Sequence, residues 1–151
     1  MKNVVTVLFA LLLLSGCAST ALKKQGDKIF FEYEALTRGA YKKVIVKHDT
    51  IITINEKALD KERVIDKFVN KKPKKRNWNK ILAELEKVNL NKLSTLKPPS
   101  TRSHHDGALI ANLKVIKQDT TYQSSSFDHG NPPMEIKGLV NRIIEVSDLE
   151  K

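Results

Sequence analysis

The chain has 151 residues and a formal net charge of +10, from 27 lysine and arginine residues against 17 aspartate and glutamate residues. Its length suits one domain of ordinary size and is too short for two. Its only cysteine, Cys17, rules out an internal disulfide and a site built from several thiolates. The domain therefore depends on its hydrophobic core for stability.

The N-terminal segment has the layout of a secretory signal peptide. A positive charge on Lys2 is followed by an apolar run of about eleven residues that ends at Leu14, and by small residues before Cys17. The run is too short for a transmembrane helix, which needs about twenty apolar residues. Residues 14–17, LSGC, resemble the lipobox of bacterial lipoproteins. That resemblance implies cleavage directly before Cys17, a diacylglyceryl group on its sulfur and an acyl chain on its new amine.

The lipobox divides the chain into a signal peptide (1–16), the lipidated cysteine with a polar tether (17–28) and a folded domain (29–146). Two or more acyl chains hold a protein stably on a membrane, whereas one chain gives only marginal binding. Ala18 stands where an aspartate would resemble an inner-membrane retention signal. The expected location is therefore the outer membrane, with the domain facing the periplasm.

The charge of the mature chain calls for a partner other than nucleic acid at this location. Cleavage removes Lys2 and lowers the formal charge from +10 to +9. In the cell envelope such a charge suits anionic lipid headgroups, acidic polymers or an acidic protein. The alternative is a lysine-rich surface that serves solubility alone.

Residues 29–54 predict a three-stranded antiparallel meander. In the first run apolar residues alternate with polar ones, at Ile29, Phe31, Tyr33 and Ala35. Two runs rich in β-branched residues follow, separated by the turn-like pair His48-Asp49. The next segment, 55–76, fits either an amphipathic helix or a loop with a short strand at 64–69, and we favour the strand.

The sequence NWNKILAELEKVNL, 77–90, predicts a helix with Asn77 as its N-cap. Its apolar face comprises Trp78, Ile81 or Leu82, Leu85 and Val88. Residues 109–127 predict a hairpin that turns at 118–119, and Pro133 is expected in the first turn of a final helix. The chain therefore predicts one α+β domain, an antiparallel sheet of about five to six strands with two helices packed on one face.

Two histidine-containing segments flank the predicted hairpin. Antiparallel pairing brings residue 107 near residue 128, which would gather His104, His105 and His129 as zinc or copper requires. The alternative is a pair of polar turns in which Asp106 and Asp128 accept backbone N–H bonds and the histidines face water. The turn interpretation is favoured, and neither a metal nor another cofactor is expected.

A basic segment, KKPKKR, precedes the predicted helix. Its cations are Lys71, Lys72, Lys74, Lys75 and Arg76. Such a segment can bind an anionic headgroup or polymer, because each lysine near an anionic surface adds to the attraction. The alternative is a solvated loop with no ligand.

The chain lacks the sequence marks of an enzyme. It contains no GxSxG, no HExxH and no phosphate-binding glycine loop. Ser124–Ser126 lie close in sequence to Asp128 and His129, but serines along a strand usually form local hydrogen bonds or face water. We therefore expect a non-catalytic protein.

Five motifs carry a resemblance to a known family. They are TRGAYKKVIV, the W…L…L helix, LKPPS, HDGALIANLKV and FDHGNPP with the I..LV..I pattern that follows it, and they fall between about Phe31 and Ile144. Together they resemble a functionally uncharacterised family of small Bacteroidetes lipoproteins and secreted proteins. A looser resemblance is to the emfourin-type inhibitors of thermolysin-like metalloproteases, which share the order of elements and a strand–glycine turn near the start. The tandem-glycine turn of those inhibitors is missing here.

Two functions follow from these observations. The first is a lipid-anchored, non-catalytic binding or accessory domain that contacts an envelope protein or an anionic polymer through its sheet face and basic loop. The alternative is an inhibitor of a secreted or periplasmic protease. Its wedge would be the 37–41 loop, with Arg38 and Tyr41, or the FDHGNPP turn, with Asp128 and His129. Exposed apolar side chains at a loop tip would favour inhibition.

Overall fold

The computed structural model describes residues 26–59, 62–104 and 107–149, which form one α+β domain. The strands are β1 (Ile29–Leu36), β2 (Ala40–Val46), β3 (Ile51–Leu59), β4 (Glu62–Lys71), β5 (Ile110–Lys117), β6 (Thr120–Gln123) and β7 (Phe127–Asp128). The helices are α1 (Lys75–Leu85) and α2 (Met134–Ser147). Short 3₁₀ turns cover Gly26–Lys28, Leu90–Thr95 and Arg102–His104.

The strands form one antiparallel sheet in the order β4-β3-β2-β1-β5-β6, and β7 also pairs with β5. The first four strands form a meander, because each of them pairs with the strand that follows it in the chain. β5 then returns to the free side of β1, so β1 becomes the central strand. α1 lies in the chain between β4 and β5, and β7 and α2 follow β6.

The alternation predicted for β1 decides which face of the sheet is buried. Ile29, Phe31, Tyr33 and Ala35 are all buried, which confirms the pattern. Inward-facing residues of β2 and β5 lie beside them, among them Val44 and Leu113, which pair with Tyr33 on either side. This face and the helices share one core, so both helices pack on the same face, as predicted.

The helices contribute most of the apolar positions that their spacing predicted, but Val88 lies outside α1, because the helix ends at Leu85. α1 buries Trp78, Ile81, Leu82 and Leu85. α2 buries Ile136, Leu139, Val140, Ile143 and Ile144, and Pro133 directly precedes its first turn. Asn77 is not the N-cap of α1, which was a wrong prediction. The helix begins earlier, at Lys75, and Lys74 occupies the capping position without a side-chain hydrogen bond.

The sheet has seven strands in the described ranges, slightly more than predicted. The ambiguous segment is a strand, but β4 is ten residues long and extends the meander to Lys71. The return strand of the hairpin is divided, because β6 ends at Gln123 and pairing with β5 resumes only at β7. Between them, Ser124 donates its backbone N–H to Leu113 and its hydroxyl to the carbonyl of Ser125.

The two ends of the sheet hold different candidate residues. At the end we call the base, β1 begins, β4 ends, and the turns 47–50 and 118–119 lie between strands. At the end we call the tip, β1 turns into β2 at 37–39 and β7 pairs with the start of β5. The eight residues of β1 separate the base from the tip by about 26 Å, at about 3.3 Å per residue.

Candidate functional site

Asp128, at the tip, holds a neighbouring loop in place. Its buried carboxylate accepts hydrogen bonds from the Ser100 hydroxyl at 2.5 Å and from the backbone N–H groups of Arg102 and Ser103, each at 2.9 Å. The hydrogen bond from Ser100 is the largest cause that lowers the pKa of Asp128 far below its ordinary value. Acceptance of backbone N–H bonds is what the turn interpretation predicted for this residue. Because both oxygens are occupied, Asp128 acts here as a structural acceptor.

His129 joins the FDHGNPP turn to the sheet. Its Nδ1 and the hydroxyl of Tyr33 share a hydrogen bond of 2.7 Å, and the two rings lie 5.8 Å apart. On the other side of the imidazole, Nζ of Lys42 lies 3.5 Å from Nε2. Burial raises the pKa of Tyr33, so the phenol stays protonated and remains a hydrogen-bonding group at all physiological pH values. The next residue, Gly130, has a φ of 80°, which favours glycine in this turn.

The metal hypothesis concerns the same end of the sheet. The backbone N–H of His129 donates to the carbonyl of Leu109 at 2.9 Å, so the two flanking segments do meet. Within the ranges that the structure describes, no group of three His, Cys, Asp or Glu side chains can hold a metal ion. His105, Asp106 and the side chain of His104 lie outside the described residues. Convergence of the three histidines therefore stays a prediction.

Of the two residues proposed for the 37–41 loop, only one is at the tip of a turn. Arg38 is exposed between β1 and β2. Tyr41 belongs to β2 and donates its hydroxyl to Oε1 of Glu34 at 3.2 Å, while burial raises its pKa. The turn itself consists of Thr37, Arg38 and Gly39, and the apolar side chain next to it is Leu36, the last residue of β1, which is 43% exposed.

The basic segment lies at the base of the sheet, far from the FDHGNPP turn. Lys71 forms an ion pair with Asp148, which follows α2. Lys72 and Lys75 line an open cleft of about 650 Å³ together with Trp78 and Asp27. Lys74 and Arg76 are exposed at the start of α1. The candidate binding residues therefore divide into two separate groups, one at each end of the sheet.

The sequence analysis proposed a sheet face as a contact surface. The sheet face without helices is the one that we call the open face, and its apolar residues were not predicted. No described element covers it. Its outward-facing apolar residues include Ile45, Ile52, Ile54, Ile65 and Phe68, which lie side by side on β2, β3 and β4. Phe68 is 58% exposed and Ile65 is 65% exposed. Ile45, Ile52 and Ile54 are half-buried, so the exposed apolar part of this face is the pair Ile65 and Phe68 on β4. Exposed apolar side chains that lie beside further apolar residues mark interaction surfaces.

Charged residues occupy the centre of the open face, and they are balanced. Nζ of Lys43 lies 2.9 Å from Glu34 and 3.7 Å from Glu32, and Nζ of Lys114 lies 3.7 Å from Glu34. The hydrogen bond from Lys43 lowers the pKa of Glu34, and the same bond raises the pKa of Lys43. Two acids against two bases give this part of the face no excess charge. The open face therefore suits an apolar protein surface better than an anionic polymer.

Comparison with known proteins adds no neighbour from which a role can be taken: no family model, no curated protein and no solved structure matches the chain. In the part of the chain that the structure describes, no helix is long and apolar enough to cross a membrane.

Proposed function

We propose that this chain is a lipid-anchored lipoprotein of the cell envelope whose folded domain is a non-catalytic binding domain for another envelope protein. The proposed anchor is Cys17 in the LSGC motif, and the proposed location is the outer membrane, facing the periplasm. The proposed contact surface is the open face of the sheet. The observation that carries the proposal is the exposure of Ile65 and Phe68 on a face that no described element covers.

The composition of the open face supports a protein partner. Its exposed apolar side chains lose contact with water when a second apolar surface covers them, which stabilises a complex by about 25 cal/mol per Å² of buried apolar area. Its central charges, Glu34 and Lys43, already neutralise each other and leave a strong anion without a complementary site. A non-catalytic role is supported by the tip, where Asp128 and His129 are engaged in bonds that fix local structure.

The anchor is tested by metabolic labelling with a fatty acid. Wild-type protein should incorporate the label, and the Cys17→Ser variant should not, because the sulfur that receives the diacylglyceryl group is gone. Equal labelling of both proteins, or labelling of neither, would refute the anchor.

The binding surface is tested with the chain from Ala18 onward as bait on envelope extracts. Ile65→Ser with Phe68→Ser removes the exposed apolar pair, and Met134→Ser is the matched control, because Met134 is 77% exposed and lies at the start of α2. We expect one protein to be retained by the wild type and by the control and lost by the double variant. Equal retention by all three would contradict the proposal. Retention of a protease whose activity falls at equimolar bait would establish the inhibitor alternative.

A further inference from the structure

The point where the chain enters the domain lies against the basic segment. Gly26, the first described residue, packs on α1 so closely that a Cβ atom there would lie 3.2 Å from Nε1 of Trp78. Asp27 lines the same open cleft as Lys72 and Lys75. The segments 26–28 and 72–76 are therefore neighbours in space, although more than forty positions separate them in the sequence.

Within the ranges that the structure describes, the four cations of residues 72–76 form no ion pair. Among the described residues, Lys43, Lys57, Lys71, Lys87 and Lys114 each form an ion pair with a carboxylate. Lys72, Lys74, Lys75 and Arg76 appear in none of the ion pairs of that same part of the chain. Their charge is therefore available to an anion from outside the domain.

The position of these cations is unfavourable for the fold itself. Lys74, Lys75 and Arg76 stand at the beginning of α1, whose first turn contains no acidic residue and whose N-cap forms no side-chain hydrogen bond. The N-terminus of a helix carries a partial positive charge, so cations there destabilise the helix and anions stabilise it. A bound anion would stabilise the N-terminus of α1 and reduce the repulsion between the cationic side chains.

The proposed anchor determines which anion is near. Nine positions separate Cys17 from Gly26, so the tether of a lipidated chain spans at most about 30 Å and on average about 17 Å if it behaves as a flexible coil. The tether sequence also contains Lys23 and Lys24, so the segment between the anchor and the domain is itself basic. A lipid anchor would thus hold the basic segment at a high local concentration over the bilayer surface.

We propose that residues 72–76 dock on anionic lipid headgroups of the membrane that holds the anchor, so that the base of the sheet faces the bilayer and the tip faces away. This inference rests on the proposed function, because it takes the membrane from the anchor on Cys17. In this orientation the edge strand β4 is perpendicular to the membrane. The open face of the sheet remains accessible to a partner from the side. The orientation also places Arg38, Asp128 and His129 about one strand length above the base.

Vesicle binding tests the headgroup contact without the anchor. The probe is the chain from Ala18 onward, which contains every described residue, mixed with vesicles of phosphatidylcholine alone or of phosphatidylcholine and phosphatidylglycerol in a three-to-one ratio. We expect co-sedimentation with the anionic vesicles only, lost at high salt because counterions screen the attraction. The variant Lys72→Gln, Lys75→Gln, Arg76→Gln should bind about 100-fold more weakly. Equal binding to both vesicles would overturn the proposal.

A charge-matched control separates a docking segment from net charge. Lys92→Gln, Lys97→Gln, Lys137→Gln removes the same charge from exposed positions outside the basic segment. This control should bind nearly as well as wild type. Equal losses in the two triple variants would overturn the proposal in favour of net charge alone. Binding to soluble polyglutamate as tight as binding to the vesicles would overturn the assignment to lipid.

The orientation is read out by the only tryptophan of the chain, Trp78, which lies beside the basic segment. In the mature lipidated protein on anionic vesicles, headgroup spin labels should quench its fluorescence, and the triple variant in residues 72–76 should abolish most of that quenching. Equal quenching in both would overturn the orientation. Failure of fatty-acid labelling with vesicle binding intact would refute the anchor and leave the headgroup contact standing.

Discussion

The hydroxyl of Tyr33 and Nδ1 of His129 lie 2.7 Å apart, and this bond fastens the middle of the central strand to the turn that precedes the last helix. The two residues are 96 positions apart in the sequence. Tyr33 is fully buried, so its hydroxyl has no access to bulk water and depends on this partner and on the nearby backbone of Gly130. The contact therefore couples the sheet to the second half of the chain.

Tyr33→Phe should lower the free energy of unfolding by about 1 kcal/mol, because the ring keeps its packing and loses only the hydrogen bond. A double-mutant cycle with His129→Ala, measured by urea denaturation, should give a coupling energy of about 1 kcal/mol. Tyr122→Phe is the matched control, since Tyr122 is only partly buried at the edge of the core. A coupling energy of zero would show that the bond does not contribute to stability.

Asp128→Asn should lower the free energy of unfolding by about 1–3 kcal/mol at neutral pH. The amide keeps the shape of the side chain but replaces one acceptor oxygen with a donor, which leaves a backbone N–H of the 100–103 loop without its bond. Urea denaturation checks the value. Asp119→Asn, in the exposed turn between β5 and β6, should change stability little, and equal effects of both variants would contradict the role assigned to Asp128.

The same carboxylate makes stability depend on pH. Its pKa in the folded state is lower than the value of about 3.9 that it has when unfolded, so its contribution is complete above that value. As the pH falls below about 5, the unfolded state binds the proton first, and stability falls through the lower native pKa. The difference in free energy of unfolding between wild type and Asp128→Asn should therefore shrink in acid. A difference that stays constant from neutral to acidic pH would refute this.

Gly138→Ala should stabilise the domain by about 0.5–1 kcal/mol, although space is short. A Cβ atom at Gly138, inside α2, would clash with Oε2 of Glu84 on α1 unless that side chain moved. That oxygen is the end of a flexible side chain whose ion pair with Lys87 is exposed and contributes little. The gain in helix propensity should therefore exceed the loss. Thermal unfolding of Gly138→Ala in the wild type and in Glu84→Ala measures the cost of displacing Glu84.

Arg76→Glu should raise the free energy of unfolding by about 0.3–1 kcal/mol, because it replaces a cation with an anion in the first turn of α1. The same change should weaken binding to anionic vesicles. Lys92→Glu changes the charge equally at an exposed site outside the helix and should leave stability nearly unchanged. If Arg76→Glu destabilised the domain, the cations of residues 72–76 would serve the fold, and their position would need no ligand to explain it.

Much of the fold was predictable because its strongest signals are local. The alternation in β1 gave the buried face directly, and the 3.6-residue spacing in α1 and α2 gave their core positions. The start of α1 was not predictable by the same means, because consecutive cations at Lys74–Arg76 contradict the usual charge preference of a helix N-terminus. Asn77, an ordinary capping residue, was therefore the better choice from the sequence alone.

The apolar character of the open face was not predicted, because the strand residues were interpreted only for the side that they bury. In VIV and IITI, apolar residues stand at consecutive positions, so one of each pair must face away from the core. Such runs usually indicate strands that are covered on both faces. Here Ile45 and Ile52 pair on the outer side, and no described element covers them. The sequence signal for this surface is that β2 and β3 contain more apolar residues than strands with one buried face need.

The register shift between β3 and β4 affects whether two copies of the protein can pair through their edge strands. β4 is an edge strand of ten residues, and in the described sheet it pairs only with β3, so one row of its backbone N–H and C=O groups points outward. A regular apolar edge strand at this position would allow a second copy to pair with it and extend the sheet from molecule to molecule. The shift between Asn55 and Glu56 makes Asp66 the extra residue, and its carboxylate binds Asn55 and Lys57. A bulge of this kind interrupts the regular ladder, and a charged residue there opposes pairing of β4 with the edge strand of a second molecule.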